Sequence, residues 1–67
     1  MISVRINGEK REMAPNVSLA ELLATLKVKP ASVVMELNRQ IVVREHYAAT
    51  YIKEGDNLEI VHFVGGG

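Results

Sequence analysis

Four leucines set the terms for this chain. Leu19, Leu22, Leu23 and Leu26 recur at i, i+3, i+4 and i+7, which places them on one apolar stripe of a helix. Ser18 and Glu21, three residues apart, form a capping box at its start, and Lys27 suits the negative end of its dipole. Pro30 disfavours helical geometry at Lys29, so one amphipathic helix is predicted over about Leu19 to Lys27. No second long helix is available. A sheet face therefore has to cover the leucines.

The remaining segments read as strands. Ile2, Val4 and Ile6 alternate with Ser3 and Arg5, and Asn7-Gly8 follows as a hairpin turn that tolerates positive φ. Glu9 to Met13 is mostly charged and reads as an edge strand, ended by Pro15 and Asn16. Val33, Met35 and Leu37 oppose Val34 and Glu36, and Asn38-Arg39 turns the chain into a short strand from Gln40 to Val43. Arg44 to Tyr51 lacks strand alternation and is read as irregular, although Tyr47 and Tyr51 are spaced to pack from a short helical turn. After the Glu54-Gly55-Asp56 turn, Leu58, Ile60 and Val64 lie on one face of a last strand and Val61 and Phe63 on the other. A strand apolar on both sides belongs in mid-sheet.

The class is therefore α+β: a β-grasp with a mixed sheet of four to five strands and one main helix packed on one face. The long connection holding the crossover helix lets the first and last strands lie parallel at the centre. The other face of the sheet is left uncovered. Apolar residues there mark a partner surface, and the candidate partner-binding residues are Val61, Phe63 and the neighbouring Val64, with neither face of their strand assigned as the outward one. Phe63 reads equally as core or as an anchor for partners.

Composition narrows the function classes. The chain has 67 residues, one domain's worth, and a domain of that size buries only about 60% of its unfolded surface. A deep catalytic cleft has little room. There is no cysteine, hence no disulfide and no thiolate metal site, and a cytoplasmic location is the default. Eight basic residues balance eight acidic ones, so no net field gathers nucleic acid or an anionic membrane. Apolar runs such as Val33-Val34-Met35 are too short for a bilayer. The expected partners are proteins, met by a chain that is monomeric when free. His46 and His62 lack a second ligand at metal-binding spacing, so no metal site is assigned. Asn7-Gly8 is not a phosphate loop, because a strand follows it in place of a helix.

The sequence closes on Gly65-Gly66-Gly67. Such an end can be a disordered terminus or a cloning remnant. Here it follows an apolar strand directly, and the expected division is a β-grasp domain over 1–64 and a flexible tail over 65–67. A terminal α-carboxyl, with a reference pKa of about 3.3 to 3.7, is ionised at neutral pH and can attack the α-phosphate of ATP to give an acyl-adenylate. Gly67 would carry that carboxyl. Gly65 and Gly66 lack a Cβ, which lets a partner's backbone and phosphates approach, and the three glycines together reach about 10 Å when extended.

With these features in place, the sequence resembles the bacterial thiamine-pathway sulfur carrier family, which is ubiquitin-like. The resemblance lies in Ile6-Asn7-Gly8-Glu9, Ser18-Leu19-Ala20-Glu21-Leu22-Leu23, Glu36-Leu37-Asn38, and Lys53-Glu54-Gly55-Asp56 through Phe63-Val64-Gly65-Gly66-Gly67. It covers nearly the whole chain. Arg39 departs from the family where glycine often follows Leu37-Asn38, and Val43 stands where proline is usual before Arg44. The resemblance implies that a partner adenylyltransferase of the ubiquitin-activating type, using ATP, would adenylate Gly67. A sulfur donor protein would convert the adenylate to a thiocarboxylate, and a thiazole synthase would take the sulfur. The chain itself would bind no cofactor and would be a co-substrate, not an enzyme. The same tail and fold also fit the small subunit of molybdopterin synthase, a ubiquitin-like modifier, or a plain β-grasp interaction module.

Overall fold

The computed structural model describes residues 1–63, so Val64, Gly65, Gly66 and Gly67 lie outside the described residues. In chain order the elements are β1 (Ile2–Ile6), β2 (Glu9–Met13), α1 (Leu19–Thr25), a 3-10 helix (Pro30–Ser32), β3 (Val33–Leu37), β4 (Gln40–Val42), a second 3-10 helix (Arg44–Ala49) and β5 (Asn57–His62). The five strands form one sheet in the order β2-β1-β5-β3-β4. β1 and β5 pair in parallel, and the other neighbours are antiparallel. The last strand does run in mid-sheet, and the charged β2 does lie at an edge.

Both hairpins close through two-residue turns. Asn7 and Gly8 take φ of 51° and 84°, and Asn38 and Arg39 take 52° and 70°. Positive φ at both central positions is the type I′ geometry, whose twist matches that of the flanking strands. Arg39 thus occupies a left-handed position with a Cβ, at a steric cost that glycine avoids.

The helix starts as its sequence dictates. Glu21 N–H donates to Ser18 Oγ at 3.1 Å, and Ser18 N–H donates to Glu21 Oε1 at 2.8 Å, so both halves of the capping box are made. It ends at Thr25, earlier than the predicted Lys27. Lys27 turns left-handed at φ 60°, its N–H donating to the Ala24 carbonyl at 3.1 Å, while Val28 N–H donates to the Leu23 carbonyl at 2.9 Å. This is a Schellman motif, which satisfies carbonyls that the helix end would otherwise orphan. It also corrects the four-leucine stripe. The reversal at Lys27 lays Val28 against the core and leaves Leu26 exposed, so only Leu19, Leu22 and Leu23 are buried.

Those three leucines pack on Val4, Val33, Met35, Leu58 and Ile60 of the sheet, with Tyr47 and Ile52 completing the core. Each such side chain contributes about 1.5–3 kcal/mol when fully buried. The segment read as irregular is ordered as the second 3-10 helix, and it seats Tyr47 in the core. Tyr51 is not buried with it. The backbone becomes extended at Thr50, which ends the helical spacing, and Tyr51 is half exposed. Its main chain bridges to Ser18 instead, with Leu19 N–H donating to the Thr50 carbonyl and Ile52 N–H to that of Val17.

β4 stops at Val42, one residue short of the predicted Val43. Val43 caps the second 3-10 helix at φ −72° and ψ 148°. That φ lies in the range a proline ring enforces, Val42 before it is extended, and the Val43 N–H donates to no other described residue. Val43→Pro is therefore expected to raise stability by about 0.4–1 kcal/mol, by restricting the unfolded chain. A higher denaturant midpoint at unchanged m is the measurement that checks it.

Candidate functional site

The register fixes which side chains share the uncovered face. Val34 stands opposite Val61, Glu36 opposite Glu59, and Glu36 also opposite Ile41. Their neighbours Met35, Leu58 and Ile60 point into the core, so these five point away from α1. At the end of the face toward which β5 runs, Ile41 is 68% exposed, Val43 50%, Val61 52% and Phe63 57%. Ile41, Val43 and Phe63 line an open groove of about 440 Å³ together with Val34 and Pro30, and Val61 lies opposite Val34 on the same face. The start of β5 faces a charged region, where Arg5 lies opposite Lys10 and Ser3 opposite Glu12.

An apolar patch in solvent, rimmed by charge, is the arrangement of a protein-docking surface. Val61 and Phe63 sit in it, and for Phe63 the choice between core and exposed anchor falls to the exposed position. Val64 and the glycines Gly65, Gly66 and Gly67, which follow the patch in sequence, lie outside the described residues. Ile41, Val43 and Val34 were not singled out from the sequence. A signal for them existed. A two-residue turn at Asn38-Arg39 forces Leu37 to pair with Gln40, which sets Ile41 beside Glu36 on the polar side of β3.

Two asparagines hold the strand that carries the patch. Asn7 Oδ1 accepts from Ile60 N–H at 2.7 Å, and Asn7 Nδ2 donates to the Ile60 carbonyl at 3.3 Å. On the other flank, Asn38 Oδ1 accepts from Asn57 N–H at 2.9 Å, and Asn38 Nδ2 donates to Asp56 Oδ1 at 3.0 Å. Asp56 Oδ2 in turn accepts from Lys53 N–H at 2.8 Å, closing the turn before β5. The turn motifs that carry the sequence resemblance are thus also side-chain clasps on β5.

His46 and His62 are both exposed. Among the described residues no group of three or more His, Cys, Asp or Glu side chains is placed to hold a metal ion. No helix among them is long and apolar enough to cross a membrane.

A mixed five-stranded sheet grasping one helix, with an open apolar face on its central strand, defines the ubiquitin-like β-grasp class. Comparison with known proteins narrows this. The ThiS family model matches residues 4–67. The crystal structure of the thiamine biosynthesis protein ThiS of Geobacter metallireducens superposes with a TM-score of 0.85 at 36% identity, covering 98% of this chain and all (100%) of that one. The sulfur carrier protein ThiS of Bacillus subtilis is 38% identical over 50 residues, covering 75% of this chain and 76% of that protein. A thiazole synthase of Paramagnetospirillum magneticum is 42% identical over 62 residues, which are 92% of this chain but only 19% of that much longer protein. The chain belongs to the ThiS family.

Because Val61 is half exposed and Met35 fully buried, substitutions at the two should separate. Val61→Asp is expected to leave stability within about 0.5 kcal/mol of the parent, and Met35→Ala to cost about 2–5 kcal/mol. Paired urea titrations measure both.

Proposed function

We propose that this protein carries sulfur as a C-terminal thiocarboxylate for assembly of the thiazole moiety in thiamine biosynthesis. The observation that carries the reading is the exposed apolar patch on β5, the strand that leads in sequence directly to Gly65-Gly66-Gly67. The body is a handle and the tail is the reactant. The Gly67 carboxylate oxygen attacks the α-phosphorus of ATP on a partner adenylyltransferase, and pyrophosphate leaves. Hydrosulfide released by a donor protein then adds at the acyl carbon through sulfur, the acyl–phosphate C–O bond breaks to expel AMP, and loss of the S–H proton leaves the thiocarboxylate. The protein is a co-substrate in this sequence, and the ATP and the catalytic groups belong to the partner.

A thiazole synthase is the acceptor we favour. The relative of that name joins a stretch similar to this chain to a much longer polypeptide, which supports a working contact between carrier and synthase. Docking onto the patch at Val61 and Phe63 would present the tail to each partner in turn, with the charged region near Arg5 and Lys10 selecting orientation.

The deciding experiment incubates the protein with ATP, an adenylyltransferase of the ubiquitin-activating type and a sulfur donor, and reads intact mass. Exchange of one oxygen for sulfur supports the carrier, and sulfur then passing to a thiazole synthase supports the thiamine acceptor. Transfer only to a molybdopterin synthase would reassign the acceptor. Covalent conjugates to lysines would mark a modifier, and an unchanged mass with a competent partner would sink both chemistries.

Two variants sharpen the test. Deletion of Gly67 is expected to abolish sulfur loading while leaving the unfolding midpoint in place, since chain-end residues carry little packing. Val61→Asp is expected to raise the KM for the carrier about tenfold, equivalent to about 1.4 kcal/mol of docking energy, with kcat little changed.

A further inference from the structure

The clasp at Asn7 has a geometry that a turn alone does not need. β1 ends at Ile6, and its last pairing with β5 is Ile6 with Leu58. β5 continues to His62. On the β3 side it stays paired throughout, Val33 facing His62, and Phe63 N–H donates to the Ser32 carbonyl at 3.0 Å. On the β1 side the neighbouring strand has run out. Backbone groups alternate sides along a strand, and Asn7 N–H already donates to the Leu58 carbonyl at 2.9 Å, so Ile60 presents its N–H and carbonyl to the same vacated flank. The Asn7 carboxamide takes both, acting as one further rung of β1. Glycine would serve as well as asparagine at φ 51°, so the turn does not require this side chain.

We propose that Asn7 is a positioning residue for the tail chemistry: by holding Ile60 from the side where β1 has ended, it sets the direction in which β5 runs past the end of β1, from Ile60 to Phe63. That stretch bears the docking side chains Val61 and Phe63 and leads into the glycines. This role rests on the carrier reading above. Asn38 supplies the contrast. It makes a similar clasp from the equivalent turn position, but at Asn57, the beginning of β5, away from the tail.

The test compares Asn7→Gly with Asn38→Gly. Each keeps its turn and removes its clasp, so both are expected to lower the unfolding midpoint. Only Asn7→Gly is expected to speed native-state amide exchange at Ile60 about tenfold and to raise the KM for the carrier in adenylate formation about tenfold, with kcat within about twofold of the parent. Should Asn7→Gly fail to fold, Asn7→Asp takes its place, since it keeps the acceptor for Ile60 N–H and loses the donor to its carbonyl. Equal KM for Asn7→Gly and the parent would overturn the positioning role while leaving the carrier reading intact, as would an equal KM rise in both glycine variants. A parent protein that gains no adenylate with a competent partner would overturn the carrier reading, and the positioning role with it.

Discussion

The contact on which everything else depends is the burial of Leu19, Leu22 and Leu23 against one face of the sheet. Hydrophobic burial is the dominant favourable term in a domain this small, and a single seven-residue helix can cover only one side of five strands. The second face is thereby left to solvent. Among the described residues no second α-helix covers it, and Ile41, Val43, Val61 and Phe63 remain open. The exposed apolar patch follows from one short helix with one apolar stripe to bury.

A carrier has requirements that differ from those of an enzyme. It needs a body that several partners can grip and an end that enters their sites, but it needs no cleft or perturbed side chain of its own. The described residues supply such a body. Their polar resources are spent on the scaffold: the capping box at Ser18 and Glu21, the Schellman motif after Leu26, and the asparagine clasps on β5. Ser18, buried at the start of α1, accepts from Glu21 N–H through its hydroxyl, and no buried side-chain polar atom among the described residues is left without a partner.

The clasps show how one residue type can answer two demands. Asparagine is tolerated at the left-handed first position of a type I′ turn, and its carboxamide presents both an acceptor and a donor. Asn7 and Asn38 both use the first property to reverse the chain; Asn7 uses the second to bind the N–H and carbonyl of Ile60, and Asn38 to accept from Asn57 N–H and donate to the Asp56 carboxylate. Arg39 has the conformation without that second use. Val43 keeps proline-like dihedrals without the ring, so neither departure from the family pattern disturbs the path of the hairpin.

Much of the architecture was legible because it rests on local periodicity. The leucine spacing called for one helix, the alternation at Ile2, Val4 and Ile6 called for a strand, and the two-sided apolar pattern of Leu58 to Phe63 called for a central one. The elements that escaped depend on contacts between distant segments. α1 ends earlier than the leucine period implies because Val28, and not Leu26, reaches the core once Lys27 reverses the chain. The segment from Arg44 to Ala49 has no period of its own and is ordered by seating Tyr47 in the core. Sequence by itself determined the class of fold, the central strand and the glycine end, since each is a property of neighbouring residues. Only the tertiary structure decided which apolar side chains join Val61 and Phe63 in solvent, and that Asn7 grips Ile60, because both depend on how strands far apart in the chain align.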